Sequence, residues 1–156
     1  MGWGIVPFAL AGGLTVTLVS AGIEDARRRE IANWKSGLIA LAAPVWWFAA
    51  GYGWSDMAWQ SGLALGVFVA FAAAFHFGWM GGGDVKLIAA LSLWLPGQAL
   101  MLMLMLMSVI GGVLTLVMMI DHWRHRKSGA VETPYGVAIA MASMIALSEP
   151  IFNHFA

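Results

Sequence analysis

The chain of 156 residues contains no cysteine, and only 10% of its residues are charged. The absence of cysteine excludes disulfide bonds, thiolate zinc sites and a cysteine nucleophile. The eight basic and eight acidic side chains cancel, so the net charge gives no reason to expect nucleic acid as a partner. Because soluble domains carry roughly a quarter charged residues, this chain cannot cover a water-facing surface of the usual kind.

Hydrophobic residues, in contrast, make up 61% of the chain. This composition predicts a single integral membrane domain over residues 1–156, folded as an all-α, polytopic bundle of transmembrane helices. Six apolar stretches predict about six spans, at residues 4–23, 34–52, 57–77, 85–95, 98–120 and 135–152. A span needs about twenty apolar residues, so the fourth stretch is short, and Glu149 and Pro150 interrupt the sixth. A four-span bundle without the fourth stretch and one neighbour is the alternative.

The basic residues predict the orientation of the chain in the membrane. All eight lie in three of the connecting segments, and the connections at 53–56 and 96–97 hold none: Arg27, Arg28, Arg29 and Lys35, then Lys86, then Arg124, Arg126 and Lys127. Lysine and arginine mark cytoplasmic loops. We therefore expect the amino terminus outside and the three basic segments on the cytoplasmic side.

Most of the tryptophans agree with these boundaries, because indole rings favour the headgroup zone of a bilayer. Seven of the nine lie near a predicted span end: Trp3, Trp34, Trp54, Trp59, Trp79, Trp94 and Trp123. Trp46 and Trp47 lie inside the second predicted span and do not fit this pattern.

Two aspartates, Asp25 and Asp84, lie at the ends of apolar stretches. A carboxylate beside hydrocarbon is costly, which makes it a candidate functional group. Asp84 follows three glycines; Gly81 and Gly83 allow positive φ and the close approach of another chain, which would leave room for an extended peptide. The alternatives are a solvated Asp25 in an interfacial loop and an Asp84 that caps a helix starting at Val85.

The predicted topology places both aspartates on the cytoplasmic face. Two carboxylates that come close together cannot both ionise easily, so they share one proton. One can then act as a general base on water while the other acts as a general acid. This chemistry needs no metal, no cofactor and no cysteine, and it predicts an aspartyl peptidase.

Three segments carry a family resemblance. Residues 81–87 (GGGDVKL) resemble the GxGD-[VA]-K signature of type IV prepilin peptidases, in the small form found with tight-adherence (Flp-type) pili. Residues 25–33 (DARRREIAN) resemble the first aspartate of that family, with its basic stretch and Ile-Pro-Asn. Residues 133–140 (TPYGVAIA) resemble its Pro-Tyr-Gly-x-Ala segment.

The resemblance implies a peptidase of the bacterial inner membrane that removes the leader of prepilin or pseudopilin precursors at the cytoplasmic face. It implies Asp25 and Asp84 as the catalytic pair, with Gly81 and Gly83 as motif residues. Lys86 is expected either to stabilise one carboxylate or to reach the interface, and Asn33 to hydrogen-bond the backbone near the first aspartate. The expected partners are the precursor and membrane lipid, with no nucleic acid, cofactor or metal.

The chain departs from the family pattern in two places. Ala32 stands where the family usually has proline, which is expected to loosen the turn after Asp25. The chain also lacks the cysteine-bearing insertion of members that methylate the product, so we expect peptidase activity alone. Two other functions remain open: a small proton-coupled transporter, and an inactive membrane protein of a secretion or pilus assembly machine.

Overall fold

The computed structural model describes residues 5–125 and 133–155, and among these the side chains of 5–125 and 133–148. Both ranges fold into helices, and neither contains a strand. The six helices are α1 (Ile5–Arg28), α2 (Asn33–Ala49), α3 (Trp54–His76), α4 (Gly82–Ser92), α5 (Gly97–Arg124) and α6 (Tyr135–Phe155). This confirms the predicted all-α membrane bundle. Trp3, Gly4, Arg126 and Lys127 lie outside the described residues.

Three helices, α1, α3 and α5, are long and apolar enough to cross a membrane, judged by length and composition. Helix α4 is much shorter. Its 11 residues rise about 16 Å, whereas the hydrocarbon layer is about 30 Å thick. The fourth predicted span is therefore a helix, but one that cannot cross a bilayer alone.

Three helices extend beyond their predicted carboxyl ends. Helix α1 does not stop at Ile23 but continues to Arg28, and α5 continues past Ile120 to Arg124. The alternative of Asp25 in a solvated loop is wrong, because the residue is helical and only 6% exposed. Helix α6 is not interrupted at Pro150 and continues to Phe155, since helices tolerate proline where surrounding groups re-satisfy the freed backbone carbonyl.

The helices pack as two connected groups. Helix α6 lies against α1 and α5, while α4 lies against α2, α3 and α6. The fully buried side chains of α4, Leu87, Ile88 and Leu91, therefore belong to the centre of the bundle. Helix α4 thus connects the two groups.

The carboxyl end of α4 lies inside the bundle, where its free carbonyl groups need donors. Gln60 of α3 donates its Nε2 to the carbonyl oxygens of Ser92 and Leu95, both at 2.6 Å. Trp47 of α2 donates its Nε1 to the carbonyl of Leu93 at 2.7 Å. Because backbone carbonyls without donors are costly away from water, these two side chains allow a short helix to end there.

Trp47 and two other tryptophans form part of this packing. Trp94 is only 5% exposed, donates its Nε1 to the Ile39 carbonyl at 2.9 Å, and stacks on Trp46 with ring centroids 5.5 Å apart. The prediction of Trp94 in the headgroup zone is therefore wrong, and the unexplained positions of Trp46 and Trp47 are packing positions. The remaining described tryptophans are exposed, as predicted: Trp34, Trp54, Trp59, Trp79 and Trp123.

Candidate active site

Asp25 lies in the last turn of α1, and its side chain points towards the amino terminus of α6. Its Oδ2 accepts a hydrogen bond of 2.7 Å from the backbone N–H of Gly136. The first N–H groups of a helix have no partner within the helix. The start of α6 therefore holds the Asp25 carboxylate in one orientation through a backbone group alone.

Gly136 allows this contact because it has no side chain. A Cβ at this position would lie 2.9 Å from both Cβ and Cγ of Asp25 and 2.8 Å from Cδ1 of Ile31. One turn further along α1, a Cβ on Gly22 would lie 3.2 Å from the Cβ of Ala140 on α6. Small residues let helix backbones approach closely in membranes, and here the close approach of α1 and α6 brings Asp25 to the N–H of Gly136.

Asp84 lies in the first turn of α4, three residues after the N-cap residue Gly81. Its carboxylate is turned back towards that residue, since a Cβ on Gly81 would lie 3.1 Å from Oδ2 of Asp84. The helix thus starts at Gly82, and Asp84 is not the N-cap residue of a helix starting at Val85. The residue is half-buried.

The glycines before Asp84 act through close approach and not through positive φ. Gly81 has a φ of −73°, and the described glycines with positive φ are Gly51 and Gly78. A Cβ on Gly81 would lie 3.1 Å from Oδ2 of Asp84, and one on Gly83 would lie 3.2 Å from Cβ of Ile31. The expectation of positive φ at Gly81 and Gly83 is therefore wrong, and the space beside them is taken by Asp84 and Ile31 of the same chain.

Ile31 connects the surroundings of the two aspartates. It is 8% exposed, its backbone and Cβ face Gly83, and its Cδ1 faces Gly136. Gly83 directly precedes Asp84, and Gly136 donates its N–H to Asp25. Ile31 therefore lies between the two glycines that adjoin the candidate residues.

The two supporting residues are paired with each other. Lys86 donates its Nζ to Oδ1 of Asn33 at 2.9 Å, which links the first turns of α4 and α2. Both side chains also line a groove of about 490 Å³ between α2, α3 and α4. Gly37 and Ala64 are among the small residues of its walls, and no atom lies within 4 Å of a Cβ built on Gly37. The groove therefore begins within one helical turn of Asp84.

Within the described ranges, no group of three or more histidine, aspartate or glutamate side chains is placed to hold a metal ion.

The arrangement defines a helical membrane protein with two carboxylates at adjoining helix ends. A sequence profile of the type IV leader peptidase family matches residues 13–116, which is more than half of the chain. The chain belongs to this family, as the three motifs indicated. The matched range contains both aspartates but ends before Gly136.

Two curated relatives are each named prepilin leader peptidase/N-methyltransferase and come from Aeromonas salmonicida, one of them from strain A449. Each is 38% identical to this chain over 68 residues, which cover 44% of this chain and 22% of the relative. The aligned segment thus spans less than a quarter of the length of these relatives. No solved structure matches the chain.

Sequence reasoning missed Gly136 and Ile31 as site residues. Both were present in the quoted motifs, since Gly136 follows Pro134 and Tyr135 and Ile31 precedes Ala32. The signal for Gly136 was a glycine in the first turn of a predicted helix, where free backbone N–H groups can hold an anion. No periodicity in the sequence indicates Ile31, because its importance depends on its contacts with both α4 and α6 in the folded chain.

Proposed function

We propose that the chain is a membrane aspartyl endopeptidase that removes the leader peptide of type IV prepilin or pseudopilin precursors. The observation that carries this proposal is that, in a member of the leader peptidase family, Ile31 lies against both Gly83, which precedes Asp84, and Gly136, which binds Asp25. Basic residues near both aspartates favour a site on the cytoplasmic face of the inner membrane, with the amino terminus outside.

In the proposed reaction the two carboxylates hold one proton between them. The ionised carboxylate takes a proton from water, and the water oxygen bonds to the carbonyl carbon of the scissile peptide while the protonated carboxyl gives its proton to the carbonyl oxygen. The tetrahedral intermediate collapses when the C–N bond breaks. The leaving nitrogen takes up the proton from the carboxyl that deprotonated water, and a hydroxyl of the intermediate gives its proton to the other carboxylate, so the pair again holds one proton. The pair acts as a unit, so neither residue is assigned one fixed role.

The groove between α2, α3 and α4 is the proposed place for the apolar helix of the precursor. Its walls include small residues, such as Gly37, Ala40 and Ala64, which permit close helix contacts in a membrane. Lys86 and Asn33 line the end where α2 and α4 begin. A helix in this groove would present the chain that precedes it to Asp84.

A proton-coupled transporter is less well supported. Such a protein would be expected to hold its carboxylates near the middle of the membrane. Asp25 is instead in the last turn of α1, and Asp84 is in the first turn of α4. An inactive assembly protein would keep the same fold, so it is distinguished from the peptidase by a cleavage assay alone.

The test is co-expression with a precursor that carries its leader, followed by gel analysis of cleavage. Asp25→Asn and Asp84→Asn should each abolish cleavage while the protein still inserts into the membrane. Asp56→Asn is the matched control: Asp56 also lies in the first turn of a helix and accepts the N–H of its N-cap glycine, Gly53, at 3.0 Å. It should therefore change a first-turn carboxylate in the same way and keep full activity, and a chelator should leave cleavage intact.

Complete cleavage by Asp25→Asn or Asp84→Asn would refute the shared-proton mechanism. Loss of cleavage in Asp56→Asn as well would mean that the assay reports helix capping rather than chemistry. Absence of cleavage by the unchanged protein, with a precursor that a related peptidase processes, would favour the inactive assembly protein.

A further inference from the structure

Glu24 and Lys35 form an ion pair next to Asp25, in which the lysine is buried and the glutamate is partly exposed. Lys35 Nζ lies 2.7 Å from Oε2 of Glu24, and the lysine side chain is only 5% exposed. The same carboxylate oxygen accepts the backbone N–H of Ala32 at 3.3 Å, and the carbonyl of Ala32 accepts the N–H of Lys35 at 3.0 Å. These three contacts close a ring that joins the end of α1 to the start of α2.

These contacts join residues on either side of the turn at residues 29–32. The turn begins at Arg29, which has a positive φ of 58°, a strained conformation for a residue with a side chain. It contains Ile31, whose backbone and Cβ lie against Gly83 and whose Cδ1 lies against Gly136. Any shift of this turn would therefore move the residue that separates the surroundings of Asp25 and Asp84.

Ala32 has the backbone geometry that proline imposes. Its φ is −61° and its ψ is 127°, and the proline ring fixes φ at about −65°. The residue before it, Ile31, is not helical, as proline requires of its predecessor. Alanine leaves φ free to rotate, but unlike proline it has an N–H group, and this N–H is the one that Glu24 accepts.

We propose that Glu24 and Lys35 are positioning residues that fix the 29–32 turn, and with it the relative placement of Asp25 and Asp84. A proline at position 32 would hold the turn by fixing φ through its ring. Glu24 and Lys35 hold it instead with a hydrogen bond and an ion pair. This inference rests on the proposed peptidase function for its kinetic consequence, but the ordering of the turn can be measured without it.

The first variant is Glu24→Met/Lys35→Met, which removes both charges together and leaves no unpaired charge buried. Displacement of catalytic groups by about 1 Å costs on the order of 100-fold in rate. A partial displacement should therefore lower kcat about tenfold with little change in KM. Addition of Ala32→Pro to this variant should restore most of kcat, because proline needs no hydrogen bond to hold its φ.

Two controls separate positioning from general stability. Gly62→Ala in the double-methionine variant stabilises α3 in a place where no atom lies within 4 Å of the new Cβ, and it should not restore kcat. Asp121→Asn removes the exposed pair that joins Asp121 to His125 at 2.9 Å and should leave kcat unchanged. Hydrogen exchange of the peptide that covers the turn, measured by mass spectrometry, should be faster in the double-methionine variant.

Wild-type kcat in the double-methionine variant would overturn the inference, as would equal rescue by Gly62→Ala and Ala32→Pro. If the unchanged protein cleaves no precursor, the proposed function fails, and hydrogen exchange alone decides the inference. Faster exchange in the turn would then support it, and unchanged exchange would overturn it.

Discussion

Substitution of Gly136 with alanine tests whether the start of α6 orients Asp25. The new Cβ would lie 2.9 Å from Cγ of Asp25 and 2.8 Å from Cδ1 of Ile31, whereas carbon atoms in contact prefer about 3.5–4.0 Å. The atoms must therefore separate by about 0.6–1.1 Å. The terminal methyl of Ile31 can rotate away, but Cβ of Asp25 is attached to the backbone of α1. The carboxylate therefore has to move.

A displacement of about 1 Å at a catalytic group costs on the order of 100-fold in rate, so kcat of Gly136→Ala should fall by that order. Stability should change less, because overpacking costs about 1–3 kcal/mol while alanine gains about 1 kcal/mol over glycine within a helix. The assay is steady-state cleavage of a precursor by purified protein in detergent, with unfolding measured on the same samples.

The control is Gly112→Ala on α5, where no atom lies within 4 Å of the added Cβ. It should keep wild-type kcat. Cleavage by Gly136→Ala at the wild-type rate would refute the role assigned to the start of α6. A loss of kcat that follows the loss of folded protein in proportion would also refute it, since the damage would then be to the fold.

Two further predictions concern the groove and the buried end of α4. Gly37→Leu should fill the groove and raise KM with little effect on kcat. Gly12→Leu also enters open space but lies outside the groove, so it should change neither KM nor kcat. Equal effects of the two substitutions would contradict the proposed docking place. Gln60→Leu removes the donor to two carbonyls, each of which costs about 1–3 kcal/mol when left unsatisfied. Gln60→Leu should lower the free energy of unfolding in mixed micelles. Gln98→Leu, at an exposed position, should not lower it. Equal stability of the two variants would show that water replaces the Gln60 amide.

Hydropathy and the basic residues predicted the six helices to within a few residues, because a bilayer selects apolar stretches with little regard to tertiary contacts. Helix ends were less predictable. The extension of α1 through Asp25 to Arg28 depends on the pairing of that carboxylate with α6, which lies more than a hundred residues away in the chain. The burial of Trp94 likewise depends on its contacts with α2, which no local pattern encodes.

In the candidate site, too, local sequence predicted some residues, while others depend on contacts between distant segments. Asp25, Asp84 and the glycine run were identified from the cost of charge near hydrocarbon and from motif spacing. Lys35 was counted only as a marker of topology, yet its side chain is buried against Glu24. That pairing could not be predicted, because it depends on how the turn between two helices closes. Lys86 was expected near a carboxylate or the interface, and its contact with Asn33 follows from the adjacency of α2 and α4.

The donor to Asp25 is the main-chain N–H group of Gly136, which has a consequence for how this part of the chain can vary. A main-chain donor is the same in nineteen of the twenty amino acids, as only proline lacks it. What limits position 136 to glycine is therefore volume, because a Cβ there would meet the side chains of Asp25 and Ile31. A search for functional side chains would therefore miss the contribution of α6 to the site, because α6 contributes a backbone N–H group.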